Sequence, residues 1–192
     1  TATLPCTIGE LRHRNIQETM PSLSQYTRKA PGIALAGILA ASDSVFSIGE
    51  KELLERLLDQ LSEDPTSYAA RELESLRSIF GGLNTYDLVQ RLSDLIKHEL
   101  SISSTTESPR LKVALTAKEL GRLLDEEEFL FWIAVAWWVS HGDSSDSSFS
   151  RKADEIEEKT ILETIVAYYG DPSMDPRPAL ATAKGLAKKL LV

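Results

Sequence analysis

The chain has 192 residues, 42% of them hydrophobic, with 21 Lys and Arg against 29 Asp and Glu and a net charge of −8. That is enough apolar content for one sizeable core and too much for a disordered chain, while its longest apolar run, Phe129 to Val139, is about half the roughly twenty residues of a membrane span. A single cysteine, Cys6, excludes an internal disulfide and a cysteine-ligated zinc site, and it fits a reducing, cytoplasmic setting.

Spacing and capping signals predict an all-α chain, with helices near 8–19, 31–42, 48–62, 66–80, 85–100, 110–124, 126–141, 151–169 and 177–190. Thr7 with Glu10 opens the first. The second is the Ala-rich stretch from Ile33. Ser47 with Glu50 forms a capping box ahead of the Leu53, Leu54, Leu57, Leu58 and Leu61 stripe. Pro65, after Asp64, reads as the first-turn proline of a helix carrying Leu73, Leu76, Ile79 and Phe80, which Gly81-Gly82 ends. Leu88, Leu92, Leu95 and Ile96 continue the helical period. The Ser- and Thr-rich stretch 101–109 is the one linker-like segment. Asp125 with Glu128 opens the helix that carries Phe129, Phe131, Trp132, Trp137 and Trp138, and being apolar all round it reads as the central core helix. Pro172 follows Asp171 as Pro65 follows Asp64. The last helix is amphipathic and basic, with Leu180, Leu186 and Leu190 on one side and Lys184 and Lys188 on the other.

Parts of this pattern occur twice. Ile33-Ala-Leu-Ala returns as Ile133-Ala-Val-Ala, Ser42-Asp-Ser-Val-Phe-Ser as Ser145-Asp-Ser-Ser-Phe-Ser, and Asp64-Pro-Thr as Asp171-Pro-Ser. The order is the same both times: apolar helix, acidic Ser-rich loop, second helix, Asp-Pro stop. This suggests a duplicated helix-loop-helix unit, near 31–66 and 129–173. The expected organisation is a single-domain bundle of eight to nine helices, with an N-terminal helical extension over 1–30, the main helical domain over 31–176 and the basic helix over 177–192.

The acidic loops are the candidate metal sites. A turn between Asp43 and the helix start would bring the Glu50 carboxylate back toward Asp43, giving two hard oxygen ligands. The second loop holds Asp143 and Asp146. Read as a twelve-residue calcium loop from Asp143, it puts Asp146 fourth and Asp154 twelfth, but it lacks the sixth-position glycine. The alternative role for these acids is to cap helices and complement their N-terminal dipoles. The stretch Ile33-Ala-Leu-Ala-Gly-Ile-Leu-Ala-Ala-Ser-Asp-Ser-Val-Phe-Ser-Ile-Gly-Glu-Lys-Glu-Leu-Leu resembles the signature of TerB-like domains, named for tellurite resistance. In that family an alanine-rich helix runs into an Asp-Gly loop and a Glu opens the following helix. Ile133-Ala-Val-Ala through Ser140-His-Gly-Asp143 resembles the family's second copy, and Ser44 stands here where family loops carry Gly. The resemblance implies an all-helical fold whose acidic loops take a divalent cation such as calcium or magnesium. It also implies a link to stress responses, phage defence or membrane-associated complexes.

Residues 31–176 carry 13 Lys and Arg against 27 Asp and Glu, so the body is acidic and both ends are basic. Such a body repels phosphate backbones and attracts cations or basic partners; no nucleic-acid partner is expected. No Gly-rich phosphate loop, HExxH or nucleophile elbow is present, and His13, His98 and His141 lack metal-ligand spacing. The chain therefore reads as a non-enzymatic interaction module with a protein partner. The alternative is a self-assembling structural protein, such as a viral matrix or capsid-type subunit, in which basic ends of one copy meet the acidic body of the next. The basic C-terminal helix could touch an anionic membrane only weakly.

Overall fold

A computed structural model describes residues 21–42, 46–101, 109–141 and 148–190. Among these residues the chain is all helical, with no strand. In order the helices are α1 (Leu23–Lys29), α2 (Pro31–Ala40), α3 (Ile48–Leu61), α4 (Tyr68–Phe80), α5 (Thr85–Ser101), α6 (Pro109–Gly121), α7 (Glu126–His141), α8 (Ser148–Tyr169) and α9 (Arg177–Leu190). None is long and apolar enough to cross a membrane. The helix expected over 8–19 lies outside the described residues.

The two apolar helices form the centre. Every residue of α2 from Gly32 to Ala40 is buried, and in α7 so are Phe129, Trp132 to Ala136, Val139 and Ser140. They pack on each other, and α6 packs on α2 as α9 does on α7. Close approach requires small residues at two points of α2. A Cβ at Gly32 would overlap the Trp132 indole, and one at Gly37 would stand 2.6 Å from Leu92 Cδ2 on α5. Trp132 is itself fully buried. α9 closes the core from outside through Leu180, Ala183 and Ala187, while Leu186 and Leu190 of the face read from its sequence are half-buried beside them.

Caps set most of the helix starts. Ser47 Oγ accepts from the Glu50 amide at 3.1 Å while Glu50 Oε2 accepts from the Ser47 amide at 3.0 Å, the reciprocal box read from the sequence. α1 has the same device in Ser22 and Gln25. Hydrophobic periodicity does not reveal this helix because its seven residues are too few to show a period. Tyr26 holds it to α5, donating from Oη to the Leu88 carbonyl at 3.1 Å.

The Asp-Pro stops correct an expectation. Neither proline enters the first turn of a helix. Asp64 Oδ1 accepts from the Thr66 amide at 2.9 Å and hydroxyl at 2.7 Å, and its carbonyl accepts from the Ser67 amide at 3.1 Å. This is a turn with proline at its second position, and α4 starts only after Ser67 has capped the Ala70 amide. Asp171 repeats it with the Ser173 amide and hydroxyl at 3.0 and 2.7 Å and the Met174 amide at 3.1 Å. The hydroxyl and amide bonds from Thr66 and Ser173 hold the two carboxyls below their ordinary value. Helix α6 also stops short of the expected 124, at Gly121, and turns through Leu123 and Leu124 into α7.

Candidate functional site

Of the five acids expected as cation ligands, Glu50 alone has a described side chain. Asp43, Asp143 and Asp146 lie outside the described residues; Asp154 falls within α8, but its side chain is not among those described. Glu50 is 8% exposed, and its carboxylate is engaged in the α3 cap. Among the described residues no three His, Cys, Asp or Glu gather as a metal would need. Immediately before each acidic loop stands a buried serine whose hydroxyl has no hydrogen-bond partner among the described residues, Ser42 at the end of α2 and Ser140 in the last turn of α7.

A second acid, unnoticed in the sequence, is buried at the opposite end of α2. The N-cap of that helix is Ala30, which offers no side-chain acceptor. Glu72 of α4 supplies it from a distance: Oε2 accepts from the Gly32 amide at 3.0 Å and Oε1 from the Ile33 amide at 2.8 Å. These free first-turn donors and the helix dipole favour a carboxylate. Burial works against it and prevails, raising Glu72 to about 8; the two amide bonds lower it, and the charge of Glu128 adds to the rise. Glu128 is also raised, by its own burial first and then by Asp125. It lies 3.9 Å from Arg71, whose guanidinium covers the Tyr68 ring at 4.9 Å. The cluster joins α2, α4 and α7. Its two amide bonds and its ion pair run between these helices and tie them together.

The other end of α7 carries a ring cluster in which the Trp137 indole N–H, like the Ser140 hydroxyl, has no hydrogen-bond partner among the described residues. Trp137 is half-buried, with the His141 ring stacked 4.6 Å away and Lys184 Nζ of α9 at 5.2 Å from its ring centre. His141 Nδ1 lies 2.8 Å from the Trp137 carbonyl.

An open groove of about 570 Å³ lies between α6 and α8, and another, of about 480 Å³, lies where α1, α5 and α6 meet. The floor of the α6–α8 groove is aliphatic, made by Leu162, Val166 and Ala167, all half-buried. Lys118 in the last turn of α6 and Arg122 in the turn just after it line one side, and Lys159 and Glu163, one turn apart on α8, line the other. Among the described residues none of the three cations is in an ion pair. One end is closed by Gly170, Pro172 and Pro176. Gly170 takes φ +70°, the left-handed conformation that ends α8 and suits glycine, and the Asp171 turn fixes the course of the chain through Met174. The Tyr168 hydroxyl donates to the Leu124 carbonyl at 3.0 Å and its ring stacks on Phe129 at 3.9 Å, which holds the C-terminal end of α8 to the α6–α7 turn and to α7.

Chemically, the groove offers positive charge over an apolar floor on a chain whose net charge is −8. Nothing in the sequence brought Lys118, Arg122 and Lys159 together. Comparison with models of known protein families, with curated proteins and with solved structures finds no match.

Proposed function

We propose that the protein is a non-enzymatic, helical interaction module of TerB-like type, linked to stress response, which holds a segment of a partner protein in the groove between α6 and α8. The observation that carries this reading is the set of three cations unpaired among the described residues, Lys118, Arg122 and Lys159, ringed over an aliphatic floor. Cations grouped beside apolar surface, on a chain whose net charge is −8, suit a partner that brings acidic and apolar groups together. A peptide-display selection tests it. Peptides enriched on the wild-type protein should lose affinity on the order of tenfold or more when the rim is reversed in K118E/R122E/K159E. Enrichment indifferent to the rim would overturn the reading.

A second reading, divalent-cation binding at the acidic loops through Asp43, Glu50, Asp143, Asp146 and Asp154, is favoured by the unpartnered Ser42 and Ser140 hydroxyls that precede those loops. With calcium, magnesium or manganese at about a hundred times its dissociation constant, the fold should gain about 2.7 kcal/mol. D43N/D146N should abolish that gain, and no melting response to any of the three ions would leave these acids as caps.

A further inference from the structure

We propose that the occupant of the α6–α8 groove is an acidic amphipathic helix; this rests on the interaction reading above and names its partner chemistry. Peptides are recognised in a few ways, and the groove admits one of them. Most of the lining belongs to α6 and α8, whose backbone groups are bonded within the helix, and the described residues contain no strand, so an extended peptide has no sheet edge to join. The floor is aliphatic and no aromatic side chain lines it, so a polyproline segment lacks the ring surfaces it docks against. The floor residues are half-buried and open to solvent along the groove, whereas a small apolar ligand is held where most of its surface can be covered. What fits is the apolar side of a helix, lying lengthwise with its flanks over the rim.

Charge gives the sign of those flanks. Three cations and the single carboxylate of Glu163 leave the rim positive. Lys118, in the last turn of α6, and Arg122, just past the end of that helix at Gly121, both line the groove, and acids on the flank of a docked helix would complement them. From Lys159 to Gly170 the α8 side runs roughly 16 Å, the length of about three helical turns. The chain's own first twenty residues do not suit the site: Glu10 and Glu18 are balanced by Arg12 and Arg14. The partner is therefore a separate acidic helix.

The test uses three fluorescent peptides of equal length in an anisotropy titration. The first carries Leu at i, i+3, i+4 and i+7 with Glu on both flanks; the second has the same Leu positions with Lys on the flanks; the third is acidic, proline-rich and extended. The acidic helix should bind best, more weakly as salt rises, and gain helical circular dichroism on binding. Its affinity should fall at least tenfold on K118Q/R122Q/K159Q and on V166E, each checked for an unchanged melting profile. The three rim positions are half-buried or exposed, so the Gln variant keeps the inference testable if V166E does not fold. Preference for the basic or the extended peptide, with the same sensitivity to the rim, would overturn this inference and leave the interaction reading standing. If none of the three binds while the display selection yields groove-sensitive peptides, the inference fails alone; if the selection also fails, both fall.

Discussion

Single residues decide the packing of α2 by what they leave out. Alanine usually stabilises a helix by about 0.5–1 kcal/mol over glycine, and in this chain the sign should depend on position. Gly185 of α9 faces open space, so G185A should gain about that amount in chemical denaturation. Gly32 lies against the Trp132 ring, and G32A should instead cost about 1–3 kcal/mol, because a buried indole cannot yield without opening the core. Equal effects at the two positions would show that the Trp132 ring can move away from α2 at little cost. Glu72 calls for a pH measurement. Burial raises its carboxyl to about 8 from an ordinary 4.5, so the folded state holds the proton more tightly than the unfolded chain does. Stability from this group is fully present below about 4.5 and is lost as pH rises through about 8. Wild-type stability should therefore fall with rising pH across that window, and E72Q should flatten the slope, leaving the smaller contribution of Glu128, whose shift has the same sign. E72Q also gives up one of the two carboxylate oxygens that cap α2, so it should be less stable than wild type at the acidic end.

At the level of elements, the paired Asp-Pro turns show how a short motif acts alike in two places. Asp64 and Asp171 make the same three bonds, to residues two and three positions on. These bonds are local, so the motif specifies them wherever it occurs. They delay the next helix instead of starting it. The proline reads as a helix starter only when its fixed φ is weighed without the competing Asp side chain. Helix α1 is the opposite case. Seven residues do not hold a helix in water, so its order depends on Tyr26, fully buried with its hydroxyl on Leu88. Y26F should cost about 1 kcal/mol and increase amide exchange in α1 more than in α2 or α7. Uniform loss of protection across all three would contradict the idea that this bond serves α1.

For the whole molecule, the charge pattern bears on assembly. The body is acidic, while the last helix carries Lys184, Lys188 and Lys189. Head-to-tail self-association would join the two, and sedimentation velocity at low and physiological salt separates it from the interaction-module reading. The module reading expects a monomer at both salt concentrations; a species that grows with concentration and dissolves in salt would favour the self-assembling alternative. The two apolar helices make the same core in either case.

The linear order of residues was sufficient for the helical class, the caps at Ser47 and Asp125, the central position of the two apolar helices and the buried face of α9. Each of these rests on neighbours within about one turn or on a continuous apolar run, so spacing along the chain is enough to reveal it. Folding was needed to show that Glu72 caps α2, that Gly32 receives Trp132, and that Lys159 comes to face Lys118 and Arg122 across an aliphatic floor. These pairings join residues on different helices. Burial and long-range packing, which leave no period or motif in the sequence, bring them together.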